Sequence, residues 1–370
     1  MPKRVLITGG AGFIGSHVAD LLLASGYAVR ILDLFVPQVH GKGGTARHVR
    51  KESELLVGDI CDGSTVETAL HKVDAVIHLA AAVGVGQSMY EIVSYTRTND
   101  LGTAVLLEAL ARHPVERLVC ASSMSVYGEG LAQRSNGEIV APDERPGAQL
   151  RRGAWEVTDQ TGEPLQPLPT PEDKPLSLSS VYALNKYNQE RLCLLVGRAY
   201  RIPTVALRLF NVYGPRQSLS NPYTGVLAIF ASRLLNKRPP LVFEDGNQRR
   251  DFVHVYDVAR ACVLALTAKT AGHVFNIGSG ESRTILSVAS DLARVIGEPH
   301  LAPHITGKYR AGDIRHCFAD LSRSRAQLGY SPGVDFQTGL QELAEWLADE
   351  IAEDSVEAAM LELDKRGLVA

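Results

Sequence analysis

The sequence predicts an α/β fold in which a doubly wound parallel sheet is followed by a smaller α/β lobe. Three observations predict it. In the first half, short apolar runs alternate with helical stretches, as in βαβ units whose sheet is covered on both faces. The first apolar run leads directly into a glycine-rich turn. From about residue 211, helical stretches mix with shorter strands and more prolines, which indicates a second lobe.

The elements of the sheet follow from the apolar runs and the helical periodicity between them. We expect strands at 3–8, 28–33, 54–57, 74–79, 116–121 and 203–209. The helices between them are expected at 13–24, 63–71, 94–112 and 179–200. Later helices are expected at 225–237, 256–268, 284–296 and 336–352.

The glycine-rich turn lies between the first strand and the first helix. Gly9 and Gly10 permit a tight turn, and Gly12 lets the backbone approach a phosphate closely. Gly15 lets the helix that begins at Phe13 pack against the strand, with its N-terminal amides directed at an anion. In this position the turn predicts a site for a dinucleotide pyrophosphate. The alternative is an ordinary turn between a strand and a helix.

Asp33 ends the second expected strand, at the distance from the turn where an acidic residue binds an adenosine ribose. Leu34, Phe35 and Val36 follow, so no arginine is present here to receive a 2′-phosphate, which the aspartate would also repel. The combination predicts a Rossmann-type sheet that binds NAD rather than NADP.

The chain is expected to divide into a dinucleotide-binding domain, a second lobe with some segments returning to the first domain, and a tail: 1–210, 211–352 and 353–370. The segment 129–178 interrupts the first domain, is rich in turn-forming residues and has little periodicity. It is either a lid over a ligand, with Trp155 as a packing surface, or a surface elaboration or dimer contact. The tail reads as a charged helix with an apolar face of Val356, Met360 and Leu363.

Composition narrows the functional class. Hydrophobic residues at 45% and charged residues at 21% are typical of a globular enzyme, and the net charge of −3 favours neither nucleic acid nor an anionic membrane as a partner. Five well-separated cysteines, without a CxxC pair, argue against disulfides and a metal site. No apolar run is long enough to span a bilayer. We therefore expect a cytoplasmic protein without a metal.

Two polar groups carry candidate chemistry. Tyr182 and Lys186 are four residues apart on an expected helix, so they share one face. A nearby lysine cation and an oxidised nicotinamide would both favour the phenolate, which makes the tyrosine a general base. Ser123 follows the strand at 116–121, where an open sheet binds its ligands. Taken alone, the tyrosine–lysine spacing is common on helices, and the serines would also suit a simple turn.

Together these motifs resemble the extended short-chain dehydrogenase/reductase family, in the branch of NAD-dependent nucleotide-sugar epimerases and dehydratases. The resemblance covers nearly the whole chain. It includes Gly58-Asp59-Ile60, His78-Leu79-Ala80-Ala81, Asn99, Leu207-Arg-Leu-Phe-Asn-Val-Tyr-Gly-Pro-Arg216, Arg249-Arg-Asp-Phe-Val-His-Val-Tyr-Asp257, Phe275-Asn-Ile-Gly-Ser-Gly280 and Tyr309-Arg-Ala-Gly-Asp313.

The resemblance implies a role for each matching residue. Catalysis would fall to Ser123, Tyr182 and Lys186. NAD would be bound by Gly9, Gly12, Phe13, Ile14, Gly15, Asp33, Asp59, Ile60, Leu79, Ala80, Ala81, Asn99, Tyr182 and Lys186. A nucleoside-diphosphate sugar would be bound by Ser123, Asn211, Arg250, Arg310 and Asp313. Without the resemblance, the two arginines would be read as surface ion pairs.

Members of this family share the oxidation of a sugar at C4, with the tyrosine removing the hydroxyl proton while hydride passes to NAD. Its dehydratases resemble one another in carrying Asp-Glu, or Glu, directly after the serine or threonine. Met124 and Ser125 stand there in this chain, and neither can take a proton from carbon. This favours 4-epimerisation. Glu144, Glu156 and Glu163 keep decarboxylation or 3,5-epimerisation open.

The long connection from Tyr127 to Tyr182 resembles that of dTDP-L-rhamnose 4-epimerases, which form dTDP-6-deoxy-L-talose. The alternatives are a UDP-hexose or UDP-uronate 4-epimerase and a 4,6-dehydratase or decarboxylase. A non-catalytic NAD sensor is disfavoured because it would not need the catalytic residues. The resemblance also implies a homodimer through the helices at 94–112 and 179–200.

Overall fold

The computed structural model describes residues 2–41, 46–223, 225–310 and 312–370. Its strands in chain order are β1 (Arg4–Thr8), β2 (Ala28–Asp33), β3 (Glu54–Val57), β4 (Ala75–His78), β5 (Arg117–Ser123), β6 (Ala132–Gln133), β7 (Ile139–Val140), β8 (Gln166–Pro167), β9 (Thr204–Leu209), β10 (Asn211–Tyr213), β11 (Leu241–Val242), β12 (Arg249–Arg250), β13 (Phe252–His254), β14 (His273–Ile277), β15 (Arg283–Thr284), β16 (His304–Ile305) and β17 (His316–Cys317).

The helices connect these strands and cover both faces of the main sheet. They are α1 (Phe13–Ala24), α2 (Pro37–His40), α3 (Gly63–Leu70), α4 (Val85–Ser88), α5 (Ile92–Thr96), α6 (Gly102–Arg112), α7 (Gly147–Leu150), α8 (Val181–Ala199), α9 (Val226–Leu235), α10 (Val255–Thr267), α11 (Ile285–Val295), α12 (Ser322–Leu328), α13 (Phe336–Leu347) and α14 (Val356–Lys365). Within the described residues, no helix is both long enough and apolar enough to cross a bilayer.

The central feature is a parallel sheet in which seven strands of the described chain pair in the order β14-β9-β5-β4-β1-β2-β3. Val5 of β1 pairs with Val29 on one side and Ala75 on the other. The chain therefore leaves β1 in one direction and returns on its other side, which creates a crevice at the carboxyl ends of the strands. This confirms the expected doubly wound α/β fold.

Two helical layers bury the sheet. On one face α1 packs against α10, and on the other α6 packs against α3 and α8. Every residue of β5 and β9 is buried, as expected for strands covered on both faces. A separate apolar cluster joins α9, α11 and α13 in the second lobe. Residues 211–254 belong to the second lobe, and the chain then returns to the main sheet, where β14 is an edge strand.

Most element boundaries differ from expectation by one or two residues, and three of the differences affect the site or the packing. The helix expected at 94–112 begins at Ile92 and contains a π-helical turn at Arg97–Leu101. The strand expected to end at residue 121 continues to Ser123, because its last residues still pair with β9. The helix expected at 336–352 ends at Leu347, which lets Ala352 turn back into the core of the second lobe.

The segment 129–178 is more ordered than its composition suggests, because it contains the small antiparallel sheet β7-β6-β8. A buried ion-pair network anchors it to the second lobe. Arg145 donates to both carboxylate oxygens of Glu244 at 3.0 and 2.9 Å, and the fully buried Arg315 donates to Glu244 at 2.8 Å. Such pairs stabilise only as a complete set, since one unpaired buried charge costs several kcal/mol.

Candidate active site

One large cavity of about 810 Å³ lies at the carboxyl ends of the sheet strands, with residues of the second lobe completing its wall. The cavity brings together nearly all of the predicted site residues. Those among its lining are Gly9, Gly12, Phe13, Ile14, Gly15, Asp33, Asp59, Ile60, Leu79, Ala80, Ala81, Ser123, Tyr182, Lys186, Asn211, Arg250, Arg310 and Asp313. Asn99 is the exception and lies behind the wall.

The glycine turn packs so closely that side chains are excluded. Gly9 has φ of +70°, and a Cβ there would lie 2.8 Å from the Ala80 nitrogen. A Cβ at Gly15 would lie 2.4 Å from the Gly9 oxygen. Gly12 is different, because a Cβ there would meet only the Gly9 oxygen, at 3.4 Å. No side chain caps α1 at Gly12, so its leading amides face the cavity as an anion site requires.

Asp33 ends β2 beside this turn. Its carboxylate accepts hydrogen bonds from the Ala11 amide at 3.0 Å and the Phe35 amide at 2.9 Å. Burial acts to raise its pKa, but hydrogen bonds from His40, Phe35 and Ala11 outweigh that effect and lower it. Asp33 therefore stays charged. His40 lies 3.4 Å away and also lines the cavity, a contact that the sequence pattern did not indicate.

Asp59 and Ile60 follow β3 at the same end of the cavity. The Asp59 carboxylate accepts from the Cys61 amide at 2.8 Å and from Arg97 at 3.0 Å. Burial raises the pKa of Asp59, but the hydrogen bonds from Cys61 and Arg97 lower it overall. Ile60 is buried and contributes an apolar surface. This end of the cavity suits a purine ring with its attached ribose.

Asn99 supports the site from behind. Its side-chain oxygen accepts from the Ala82 amide at 2.7 Å, and its amide donates to the Ala82 carbonyl at 3.0 Å. The π-helical turn directs this fully buried side chain inward, and such turns are frequent at functional sites. Asn99 thus holds the loop that carries Leu79 to Ala81.

Ser123, Tyr182 and Lys186 meet in the middle of the cavity. Ser123 ends β5, and its hydroxyl accepts from the Ser125 amide at 3.2 Å. The α8 helix begins after Ser180, whose hydroxyl caps it, and Ser88 accepts the Tyr182 amide at 3.0 Å. These contacts fix the start of α8, so the tyrosine and lysine share one face as expected.

The electrostatics of this group depart from the expectation in one respect. Burial raises the pKa of Tyr182, and a hydrogen bond with Ser123 acts in the opposite direction. The Lys186 amine instead donates to the Ala121 carbonyl at 2.6 Å and to Gln189 at 2.7 Å, and burial lowers its pKa. In the protein alone, the hydrogen bond with Ser123 thus favours the Tyr182 phenolate, while the hydrogen bonds of Lys186 fix its position on the same face of α8.

The opposite wall belongs to the second lobe. Arg250 donates to the Arg315 carbonyl at 2.9 Å and lies 3.4 Å from Asp313, so both predicted residues are held in place. The Arg310 guanidinium stacks on the Phe243 ring at 4.2 Å. Unpaired buried polar atoms are rare in native proteins unless a ligand satisfies them. Among the described lining residues, three carry one: Asn211 (Oδ1), Gln248 (Oε1) and Arg310 (Nε).

Carboxylates are confined to the two ends of the cavity. Among its described lining residues they are Asp33, Asp59 and Asp313. Beside Ser123 the wall is formed by Met124 and Ser125. None of residues 129–178 is among the lining, so Glu144, Glu156 and Glu163 do not supply a carboxylate there.

The segment 129–178 instead supports the site from outside. Trp155 packs against Tyr309, with ring centroids 6.2 Å apart. Glu156 is engaged by Arg315 at 2.5 Å and His316 at 2.9 Å, and the His316 contact lowers its pKa to about 2. The contacts of the segment 129–178 therefore support the cavity wall from outside and do not cover the ligand.

Comparison with known proteins identifies the family. The sequence matches the family model described as the NAD-dependent epimerase/dehydratase family over residues 5–149 and 156–278. The chain belongs to the NAD-dependent epimerase/dehydratase family.

The similarity extends over the full length of individual members. A dTDP-L-rhamnose 4-epimerase from Burkholderia thailandensis is 38% identical over 94% of this chain and 96% of its own length. A dTDP-glucose 4,6-dehydratase from an Actinoplanes species is 31% identical over 93% and 97%. The crystal structure of a Thermus thermophilus UDP-glucose 4-epimerase in complex with NAD has a TM-score of 0.73 at 32% identity, covering 94% of this chain and all of that one.

NAD is the cofactor of this epimerase/dehydratase family member, and the cavity fits it. The uncapped start of α1 and the absence of a side chain at Gly12 suit the pyrophosphate. The charged Asp33 suits a ribose with free hydroxyl groups. Near Tyr182 and Lys186, bound NAD supplies the hydride acceptor.

Sequence reasoning missed part of the lining. Gln248 stands next to the predicted Arg250, and an alternating side-chain pattern along the strand could have suggested it. Met360, Leu363 and Leu368 of the tail also line the cavity. The sequence indicates the helical spacing of Met360 and Leu363 but not the surface on which this face packs, and Leu368 lies beyond the end of α14.

Two glycine substitutions should separate NAD binding from folding. Gly12→Ala should leave the unfolding temperature nearly unchanged and lower NAD affinity about tenfold or more, because the methyl enters otherwise open cavity space. Gly15→Ala should destabilise the fold by about 1–3 kcal/mol, because its methyl overlaps the backbone of Gly9. Thermal unfolding and the NAD released from denatured protein measure both effects. Full NAD retention by Gly12→Ala would contradict the assignment.

Proposed function

We propose that this protein is an NAD-dependent nucleotide-sugar 4-epimerase, with interconversion of dTDP-L-rhamnose and dTDP-6-deoxy-L-talose as its reaction. The observation that carries the reaction type is the combination of Ser123 and Tyr182 with a neighbouring wall that lacks a carboxylate. Such a site can oxidise and reduce a sugar carbon but cannot remove a proton from carbon to eliminate water.

In this mechanism Tyr182 is the acid and base at the sugar C4 oxygen. Its phenolate accepts the C4 hydroxyl proton as the carbon is oxidised, and the same proton returns when the ketone is reduced. Before the sugar binds, the hydrogen bond of Ser123 favours the phenolate of Tyr182. When the sugar is bound, the single Ser123 hydroxyl proton is donated to the C4 oxygen. Epimerisation follows when the 4-keto sugar turns over and presents its other face.

The second lobe holds the nucleotide diphosphate during this rotation. Arg250 and Arg310 suit the diphosphate because a planar guanidinium binds two phosphate oxygens at once. Asn211 and Gln248 each offer an unpaired acceptor to a base or sugar hydroxyl. Anchoring at the nucleotide end leaves the sugar free to turn about its bond to the phosphate.

A 4,6-dehydratase or decarboxylase is the second candidate, because a dTDP-glucose 4,6-dehydratase is 31% identical. Met124 and Ser125 disfavour it, and so does the position of Glu156 in an ion-pair network outside the cavity. A non-catalytic NAD sensor is disfavoured because Ser123, Tyr182 and Lys186 are all present around the cavity.

The choice of sugar rests on similarity. A dTDP-L-rhamnose 4-epimerase is 38% identical over nearly the full chain, against 32% for the UDP-glucose 4-epimerase of known structure. UDP-hexoses and UDP-uronates therefore belong in the same assay as alternative substrates.

A panel of dTDP-, UDP- and GDP-sugars, incubated without added cofactor, tests the proposal. NMR should show inversion at C4 alone, with dTDP-L-rhamnose turned over fastest. Tyr182→Phe should lower kcat by about a hundredfold or more while NAD content stays unchanged, because only the proton acceptor is lost. A product lacking water or carbon dioxide, or full turnover by Tyr182→Phe, would overturn the assignment.

Ser123→Ala should move the pH profile in a defined direction. Activity requires the Tyr182 phenolate and so rises as pH passes the pKa of Tyr182. The Ser123 hydrogen bond lowers that pKa, so its removal should shift the rising limb of kcat/KM to higher pH. The matched control is Ser94→Ala, which removes a different hydroxyl from the cavity lining and leaves Ser123 and its partner Ser125 unchanged. A pH profile of kcat/KM that is unchanged in Ser123→Ala would refute the effect of Ser123 on the pKa of Tyr182.

We also propose a homodimer through the helices α5, α6 and α8. Their outer faces expose large apolar side chains. Val93 of α5 is 82% exposed, Leu101 between α5 and α6 is 47% exposed, and Leu184 of α8 is 45% exposed. We infer that these side chains together form one surface, and an exposed apolar surface is typical of an interface between subunits.

Val93→Glu should therefore shift the protein from dimer to monomer, because the charge would be buried in the interface. Light scattering measures the mass, and Ile351→Glu is the control, since Ile351 is 95% exposed in a different region. A wild-type protein that is monomeric at micromolar concentration would refute the dimer.

A further inference from the structure

We propose that the C-terminal segment 356–370 is a substrate-binding element that selects sugars with an apolar edge. This proposal rests on the proposed function, because it requires that a sugar reacts at Tyr182. In this role, α14 forms the apolar wall beside the sugar, and the residues after it hold Arg310 at the diphosphate.

One face of α14 points into the cavity. The lining includes Val356, Ala359, Met360 and Leu363, which recur at the spacing of a single helix face. The adjacent Leu361 points away and is 60% exposed. The segment therefore belongs to the cavity wall.

On one side the segment reaches the catalytic group. The Leu363 side chain lies against Gly86, where an added Cβ would be 3.4 Å from it. Gly86 belongs to α4, whose Ser88 accepts the Tyr182 amide at 3.0 Å. Arg366 stacks on Tyr90 at 4.3 Å, and the Tyr90 hydroxyl donates to Tyr223 at 2.7 Å. Leu363 thus packs on the helix that fixes the Tyr182 backbone, and Met360 lines the cavity one turn earlier on the same face of α14.

On the other side the segment pairs with the backbone around Arg310. The Tyr309 amide donates to the Ala370 carbonyl at 2.9 Å, and the Ala370 amide donates back at 3.1 Å. The adjacent residues Arg310 and Val369 form an antiparallel bridge. Because Arg310 has a buried unpaired nitrogen, this pairing holds an available donor at the cavity wall.

The start of the segment is also anchored. Asp354 is 4% exposed and lies 3.4 Å from Arg233 and 3.3 Å from Arg238. The segment is therefore attached at both ends, with its apolar face between them. A sugar hydroxyl or carboxylate placed against this face would lose hydration without gaining a partner, whereas a methyl group would not.

Met360→Gln, which nearly preserves the side-chain volume, tests the selectivity. The ratio of kcat/KM for a 6-deoxyhexose over a 6-hydroxyhexose on the same nucleotide should fall about tenfold, because the amide can pair with the hydroxyl. Leu361→Gln on the exposed face is the control and should leave the ratio unchanged. NAD content and unfolding temperature should match wild type in both. An unchanged ratio in Met360→Gln would overturn the selectivity.

A chain ending at Gly367 tests the second contact. Without the pairing to Tyr309, the affinity for dTDP and UDP should fall about tenfold by calorimetry, with NAD content unchanged. Unchanged affinity would overturn the role of the segment in substrate binding. This measurement needs no turnover. A wild-type protein that binds nucleoside diphosphates but converts no sugar would refute the proposed epimerase activity. In that case the change in nucleotide affinity of the shortened chain would still decide whether the C-terminal segment is a binding element.

Discussion

The structure depends on the close approach of backbone segments at the glycine turn. Gly9, with its positive φ, lies so near Ala80 that no side chain fits between β1 and the end of β4. Gly15 allows α1 to start directly above the turn. This contact places the start of a helix, the carboxylate of Asp33 and the loop after β4 around one space, which NAD occupies in this family.

The constraint on the second lobe is electrostatic, because several arginines lie close together beside one cavity. Arg145 and Arg315 are neutralised by Glu244 and its neighbours, and their contacts brace the chain that carries Asp313. Arg310 keeps an unpaired donor at the cavity wall, whereas the terminal nitrogens of Arg250 donate to Asp313 and to backbone carbonyls. Burial of the paired cations behind the wall thus leaves Arg310 as the cation with an unpaired nitrogen beside the proposed diphosphate site.

Much of the site was predictable because its residues have local signatures. The glycine turn, Asp33 and the spacing of Tyr182 and Lys186 each depend on a strand end or a helix period. For Asn99 the sequence predicts a role at the cofactor, and this stays a prediction. In the structure its side chain supports the backbone of Ala82 from behind the cavity wall, because a π-helical turn rotates it inward. That turn has no signature in the sequence. Trp155 was considered for a lid, yet it packs on Tyr309 outside the cavity.

By itself, the sequence determined the parallel sheet, the glycine turn, the candidate catalytic residues and the absence of a carboxylate directly after Ser123, since each lies within one or two adjacent elements. Only the tertiary structure decided what faces what across the cavity. Leu363 meets Gly86, and Val369 pairs with Arg310, although each pair is distant in the chain. Such contacts arise from the packing of whole elements, and helical periodicity indicates an apolar face without indicating its partner.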